Sequence, residues 1–97
     1  MNRSAILQLL SDHAAEIRKR FGTQTIGLFG SAARDELRDD SDIDVLVAFD
    51  GGSTYERYFG LRDYLEALLQ RRVDLVTEQG LKPRARRHVE RDLIRVA

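Results

Sequence analysis

The chain has 97 residues, 42% apolar and 33% charged, with one proline and no cysteine; this suits one compact domain of ordinary composition and excludes disulfides and thiolate zinc sites. Its sixteen basic and sixteen acidic side chains cancel, which argues against direct nucleic-acid binding. No run approaches the roughly 18 apolar residues of a membrane span, and no apolar signal core opens the chain, so a cytoplasmic protein is expected.

Ile6, Leu7, Leu10, Ala14, Ile17 and Phe21 recur at three- and four-residue steps, which predicts an amphipathic helix over residues 3–20. Lys19, Arg20 and Gly22 are its stop signals. Thr25–Phe29 reads as a short strand bounded by glycine, and Ser31–Leu37 as a short helix. Ile43–Phe49, rich in branched residues and closed by Asp50-Gly51-Gly52, is a second strand. Ser53-x-x-Glu56 has the form of a capping box and opens a helix over 54–70, with Tyr55, Tyr58, Leu61, Leu65, Leu68 and Leu69 on one side. Arg72–Thr77 is a third strand, and Pro83 suits the first turn of a last helix reaching 92. The order is αβαβαβα.

The chemistry concentrates in GSAARDELRDDSDIDVLV, residues 30–47. Gly30-Ser31 stands where a strand hands over to a helix. Glycine admits positive φ and close approach of a ligand, Ser31 can cap the helix, and free amides at a helix start attract phosphate. Alone, the dipeptide reads equally as an ordinary turn. Strand alternation puts Asp42 and Asp44 on one face, opposite Ile43, Val45 and Val47. Two adjacent carboxylates repel unless a cation lies between them, and hard oxygens with no His or Cys nearby suit Mg²⁺; viewed alone, the pair also reads as a solvated strand entrance. Asp74 interrupts the apolar run Val73–Val76, a costly placement inside a sheet unless it joins the same cluster. An edge-strand aspartate facing water is the alternative. Three carboxylates beside a phosphate turn match two-metal phosphoryl chemistry. Arg34, one helical turn from Ser31, is placed either to reach a phosphate or to pair with nearby acids.

Gly30-Ser31, ten residues, Asp42-x-Asp44 and a later strand aspartate, Asp74, resemble the nucleotidyltransferase superfamily of DNA polymerase beta. The short length is most similar to its minimal nucleotidyltransferases, the MNT or MntA-type proteins. The resemblance spans essentially the whole chain, and no core motif position departs from it. It implies an α+β nucleotidyltransferase fold, with a small mixed sheet covered by helices on one face and the active site on the other. It assigns Gly30 and Ser31 to the triphosphate, Asp42 and Asp44 to two Mg²⁺ ions, and Asp74 to the catalytic ion and the acceptor hydroxyl. The reaction would be attack on the α-phosphorus of ATP with release of pyrophosphate.

Larger superfamily members add a domain that grips the acceptor, so a chain this short would rely on a second copy or a partner. The resemblance implies a HEPN-type toxin as partner, with this protein the antitoxin that transfers AMP to a toxin tyrosine. HEPN ribonucleases carry Arg-x4–6-His; neither His13 nor His88 has an arginine at that upstream spacing, so the chain is not the toxin. Two alternatives stay open: an antitoxin acting by occlusion, and a dimeric transferase for a small molecule such as an aminoglycoside. The C-terminal stretch crowds Lys82, Arg84, Arg86, Arg87, Arg91 and Arg95. It reads either as a solvated helix face or as a docking surface for an acidic partner or for phosphates. Tyr58 and Phe59 are adjacent and cannot both face inward, which leaves one for a protein interface.

Overall fold

The computed structural model describes residues 1–97. Helix α1 (Arg3–Phe21) starts at Asn2, whose side chain accepts from the Ala5 amide at 2.9 Å, and ends at Gly22, left-handed with φ 70°. Four strands form one sheet: β1 (Thr23–Phe29), β2 (Ile43–Phe49), β3 (Val73–Thr77) and β4 (Ile94–Arg95), in the order β3-β2-β1-β4. β1 runs antiparallel to β2 and β4, while β2 and β3 are parallel. The α+β class and the mixed sheet expected from the sequence are therefore both present.

Alternation along β2 divides the molecule. Ile43, Val45, Val47 and Phe49 point to one face and are at most 4% exposed. There they meet Ile26, Leu28, Val73 and Leu75 from the neighbouring strands and Ile6, Leu10, Ile17, Leu61, Leu65 and Leu69 from α1 and from α3 (Tyr55–Leu69). Each such side chain contributes about 1.5–3 kcal/mol on burial, so this face holds the sheet together. The other face carries Asp44, Leu46 and Ala48. Helix α4 (Pro83–Asp92) and the turn into β4 cover part of it: a Cβ on Gly27 would lie 2.8 Å from Leu93 Cδ1, so glycine is required for that approach. Leu46, the strand partner of Gly27, is 3% exposed there, outside the main core. Two helices thus seal the core face, and a third shares the opposite face with the carboxylates.

Local expectations fail at three points. Helix α2 spans only Gly30–Ala33, because Asp35 takes φ 60° and turns the chain out of the helix. Phe29 rather than Ser31 occupies its N-cap, without a side-chain bond, so Ser31 lies inside the first turn and caps nothing. Helix α3 is capped by Thr54, whose hydroxyl accepts from the Arg57 amide at 3.2 Å, one residue after the expected Ser53. Tyr55, expected on the apolar side of this helix, is 78% exposed, whereas Tyr58 lies inward with its hydroxyl donating to the Leu75 carbonyl. The two-residue β4 escaped notice because so short a run has no periodicity to read. No helix is long and apolar enough to cross a membrane.

Candidate active site

Asp44 is the second residue of β2 and Asp74 the second of β3, and the parallel register sets them abreast. Phe29, the last residue of β1, is the antiparallel partner of Asp44. The chain therefore leaves β1 and enters Gly30 directly beside the carboxylates. Gly30 has φ 68°, and a Cβ there would stand 2.2 Å from Asp44 Oδ2. Only glycine satisfies both conditions, so the turn and the carboxylate are built against each other. Ser31 follows, half-buried, with a hydroxyl bonded to no protein atom, and the opening amides of α2 have no helical acceptor behind them.

Asp44 is half-buried, and its carboxyl is pushed up to about 6. Burial is the largest cause, followed by the charge and hydrogen bond of Asp74 and the charge of Asp42, with Arg34 opposing. Asp74 itself is exposed on the edge strand β3. The desolvation expected for an internal strand aspartate is thus small, and its membership of the site rests on register with Asp44. Asp42 lies one residue before β2 rather than on the strand, and Arg72 Nε holds its Oδ1 at 3.1 Å. Accordingly, no three His, Asp or Glu side chains are gathered into a ready metal cage. Asp44 and Asp74 are close enough to share a proton, and their hard oxygens lack a counter-charge between them. That donor set fits a divalent cation such as Mg²⁺.

Arg34 is engaged elsewhere. Its Nη1 meets Asp92 Oδ2 at 2.7 Å and its Nε meets Glu36 Oε2 at 3.2 Å, which ties the end of α2 to the end of α4 and raises the guanidinium pKa, through the Asp92 and then the Glu36 hydrogen bond. Of the six residues singled out in the sequence, Gly30, Ser31, Asp44 and Asp74 come together. Asp42 and Arg34 flank them, Asp42 held by one ion pair and Arg34 by two. Asp92 and Arg72, which do the holding, went unnoticed: Asp92 carries no local signal, and Arg72 becomes Asp42's neighbour only once β2 and β3 are known to run parallel. Arg71 was missed as well; its guanidinium donates to the Ser41 carbonyl at 2.8 Å and to the Arg38 carbonyl, bracing the approach to Asp42. A polar cavity of about 300 Å³ opens there between Asp39, Asp40, Ser41 and Gln70, Arg71, Arg72.

This arrangement has counterparts among known proteins. Residues 10–96 match the family described as the nucleotidyltransferase domain. The chain is 43% identical over 91 residues to the protein adenylyltransferase MntA of Thermococcus cleftensis, covering 94% of this chain and 92% of that one. A solved structure described as a minimal nucleotidyltransferase superposes with a TM-score of 0.82 at 41% identity, over 97% of this chain and 95% of the other. A solved toxin–antitoxin with AMP-PNP superposes with a TM-score of 0.72 at 25% identity, over 100% of this chain and 73% of that one. With its glycine turn against paired strand aspartates and these likenesses along nearly its whole length, the chain belongs to the nucleotidyltransferase family, among the minimal, MntA-type members.

Proposed function

We propose that this protein is a Mg²⁺-dependent protein adenylyltransferase that neutralises a HEPN-type toxin by transferring AMP from ATP to one of its tyrosines. The observation that carries the proposal is the abreast pair Asp44–Asp74, built against the Gly30 turn. The similarity to MntA supports a protein as acceptor, and the likeness to a toxin–antitoxin with AMP-PNP supports the adenine nucleotide and the toxin partner.

In this reading the Gly30 backbone and the α2 amides receive the triphosphate, with the free Ser31 hydroxyl as a further donor. Asp42, Asp44 and Asp74 would hold two Mg²⁺ ions, which supply charge neutralisation at the phosphates and the leaving pyrophosphate. Asp42 releases Arg72 to do so, and Asp44 gives up its shared proton. Asp74, exposed at the sheet edge, faces the incoming tyrosine and draws off its hydroxyl proton as the oxygen attacks the α-phosphorus. The new bond joins the tyrosine oxygen to phosphorus, and pyrophosphate departs. Arg34 reaches a phosphate only by leaving Asp92, so its first role is to fix α2.

The test incubates wild type and Asp42→Ala/Asp44→Ala with labelled ATP, Mg²⁺ and a HEPN-domain toxin. Label on the toxin with wild type, none with the variant, and loss of neutralisation with it are the expected results. Neutralisation that survives in the variant without label on the toxin overturns the catalytic reading in favour of occlusion. A rise in melting temperature with MgATP, reduced in the variant, checks the nucleotide site separately.

A further inference from the structure

Helix α4 carries Arg84, Arg87, His88 and Arg91 at successive steps of three, one and three residues, all exposed. Positions spaced this way share one side of a helix. The opposite side faces the protein: Val89 is 7% exposed, and the Arg86 guanidinium donates to the Glu78 carbonyl at 2.9 Å. Packing therefore aims the basic stripe at solvent. Nearby arginines are matched with acids, Arg34 with Asp92, Arg86 with Glu90 and Arg95 with Glu78. Arg84 and Arg87 are matched with none, and a hollow of about 250 Å³ opens between them and Pro83. Like charges at these helical steps repel, so the stripe weakens α4 in the free protein.

Its location is informative. Asp92, at the end of α4, is gripped by Arg34 just beyond the glycine turn, and Leu93 covers Gly27, two residues before the strand partner of Asp44. The stripe thus runs along the outer side of a helix whose C-terminal end borders the candidate site. Asp39 and Asp40, next to Asp42 in the chain, are exposed and share a cavity with Arg71 and Arg72, so that side is mixed in charge whereas the α4 stripe is basic. The chain's sixteen basic and sixteen acidic side chains cancel, which disfavours an extended polyanion. A folded protein with an acidic patch toward α4 complements the stripe.

We infer that the α4 stripe docks an acidic patch of the acceptor protein and holds its hydroxyl side chain over Asp44 and Asp74. This rests on the reading of the acceptor as a protein.

The experiment titrates the HEPN-domain partner into wild type and R84E/R87E by calorimetry, at low and high salt, and follows label transfer on the same samples. The expected result is roughly a tenfold or greater loss of affinity in the variant, narrowing at high salt. R84K/R87K retains most of the wild-type affinity, and the MgATP-induced melting shift is the same in all three. Equal affinity in wild type and R84E/R87E, or no binding by wild type, overturns the inference. So does a lost MgATP shift in a folded R84E/R87E, which would give the stripe to the nucleotide's own phosphates. Salt-sensitive binding of oligouridylate that R84E/R87E abolishes while toxin affinity holds gives the stripe to nucleic acid and overturns it too. If wild type binds the toxin through the stripe yet transfers no AMP, the docking face stands and the enzymatic reading falls. If transfer proceeds with the same KM in R84E/R87E, the enzyme stands and the docking face falls.

Discussion

The two faces of the sheet are built from the same strands and are opposite in kind. On the Ile43–Val45–Val47 face, α1 and α3 exclude water and leave the strand residues at most 4% exposed. On the Asp44–Leu46–Ala48 face, α4 covers the middle and leaves the end with Asp44 and Asp74 open. A carboxylate at Val45 would be ruinous, while one a single residue away is tolerated at the cost of a raised pKa. The core face can afford no charge because no solvent or counter-ion reaches it. The site face holds two because β3 is an edge and its aspartate stays wet. Stability and chemistry are thus separated by the two-residue period of a strand rather than by distance along the chain.

Substitution at Asp44 breaks the comparison most sharply. Asp44→Asn is expected to cut label transfer on the order of a thousandfold, the scale seen when a group acting on transition-state charge is lost, while the apo protein becomes more stable at neutral pH. The sign follows from the pKa. Asp44 is raised from 3.8 to about 6, so the native state favours the protonated form. This group's penalty is absent below about pH 4, builds as pH rises from about 4 to about 6 and is full above that. Mg²⁺ needs the ionised form, so stabilisation by MgATP should fade as pH falls below about 6. Melting curves across pH, with and without MgATP, check both directions; a wild-type profile that Asp44→Asn leaves unaltered removes Asp44 from the account.

The core face should respond in the opposite sense. Leu65→Ala removes a side chain with no exposed surface and should cost about 2–5 kcal/mol in chemical denaturation. Specific activity of the folded fraction should hold. Gly30→Ala joins the two faces in one lesion. It places a Cβ 2.2 Å from Asp44 Oδ2 at φ 68°, so stability should fall by about 1–2 kcal/mol and transfer by roughly a hundredfold from the displaced carboxylate. A fully active Gly30→Ala would refute the fit of turn to carboxylate. The smallest effect belongs to Arg72→Ala, since Arg72 is 79% exposed. Stability should change by less than about 1 kcal/mol, while Mg²⁺ affinity, read by isothermal titration, should rise as Asp42 is freed.

What the sequence determined by itself were the properties that depend on near neighbours. Alternation marked Ile43–Phe49 as a strand with Asp44 opposite its apolar residues, helical spacing marked α1 and α3, and Pro83 marked the start of α4, because each follows from backbone period or a single residue's geometry. The tertiary structure decided everything set by pairing. Asp44 meets Asp74 only because β2 and β3 run parallel in that register, and Asp74 is solvated only because β3 is an edge. Arg72 reaches Asp42 across the same two strands, and Asp92 reaches Arg34 from fifty-eight residues away. Gly30, legible as a flexible turn, proved to be a contact surface for a carboxylate fourteen positions later, through the β1–β2 register. Local dihedral preferences are written in each residue, whereas register and the placing of α4 emerge from packing one face of the sheet at the expense of the other. The site lies where that packing stops.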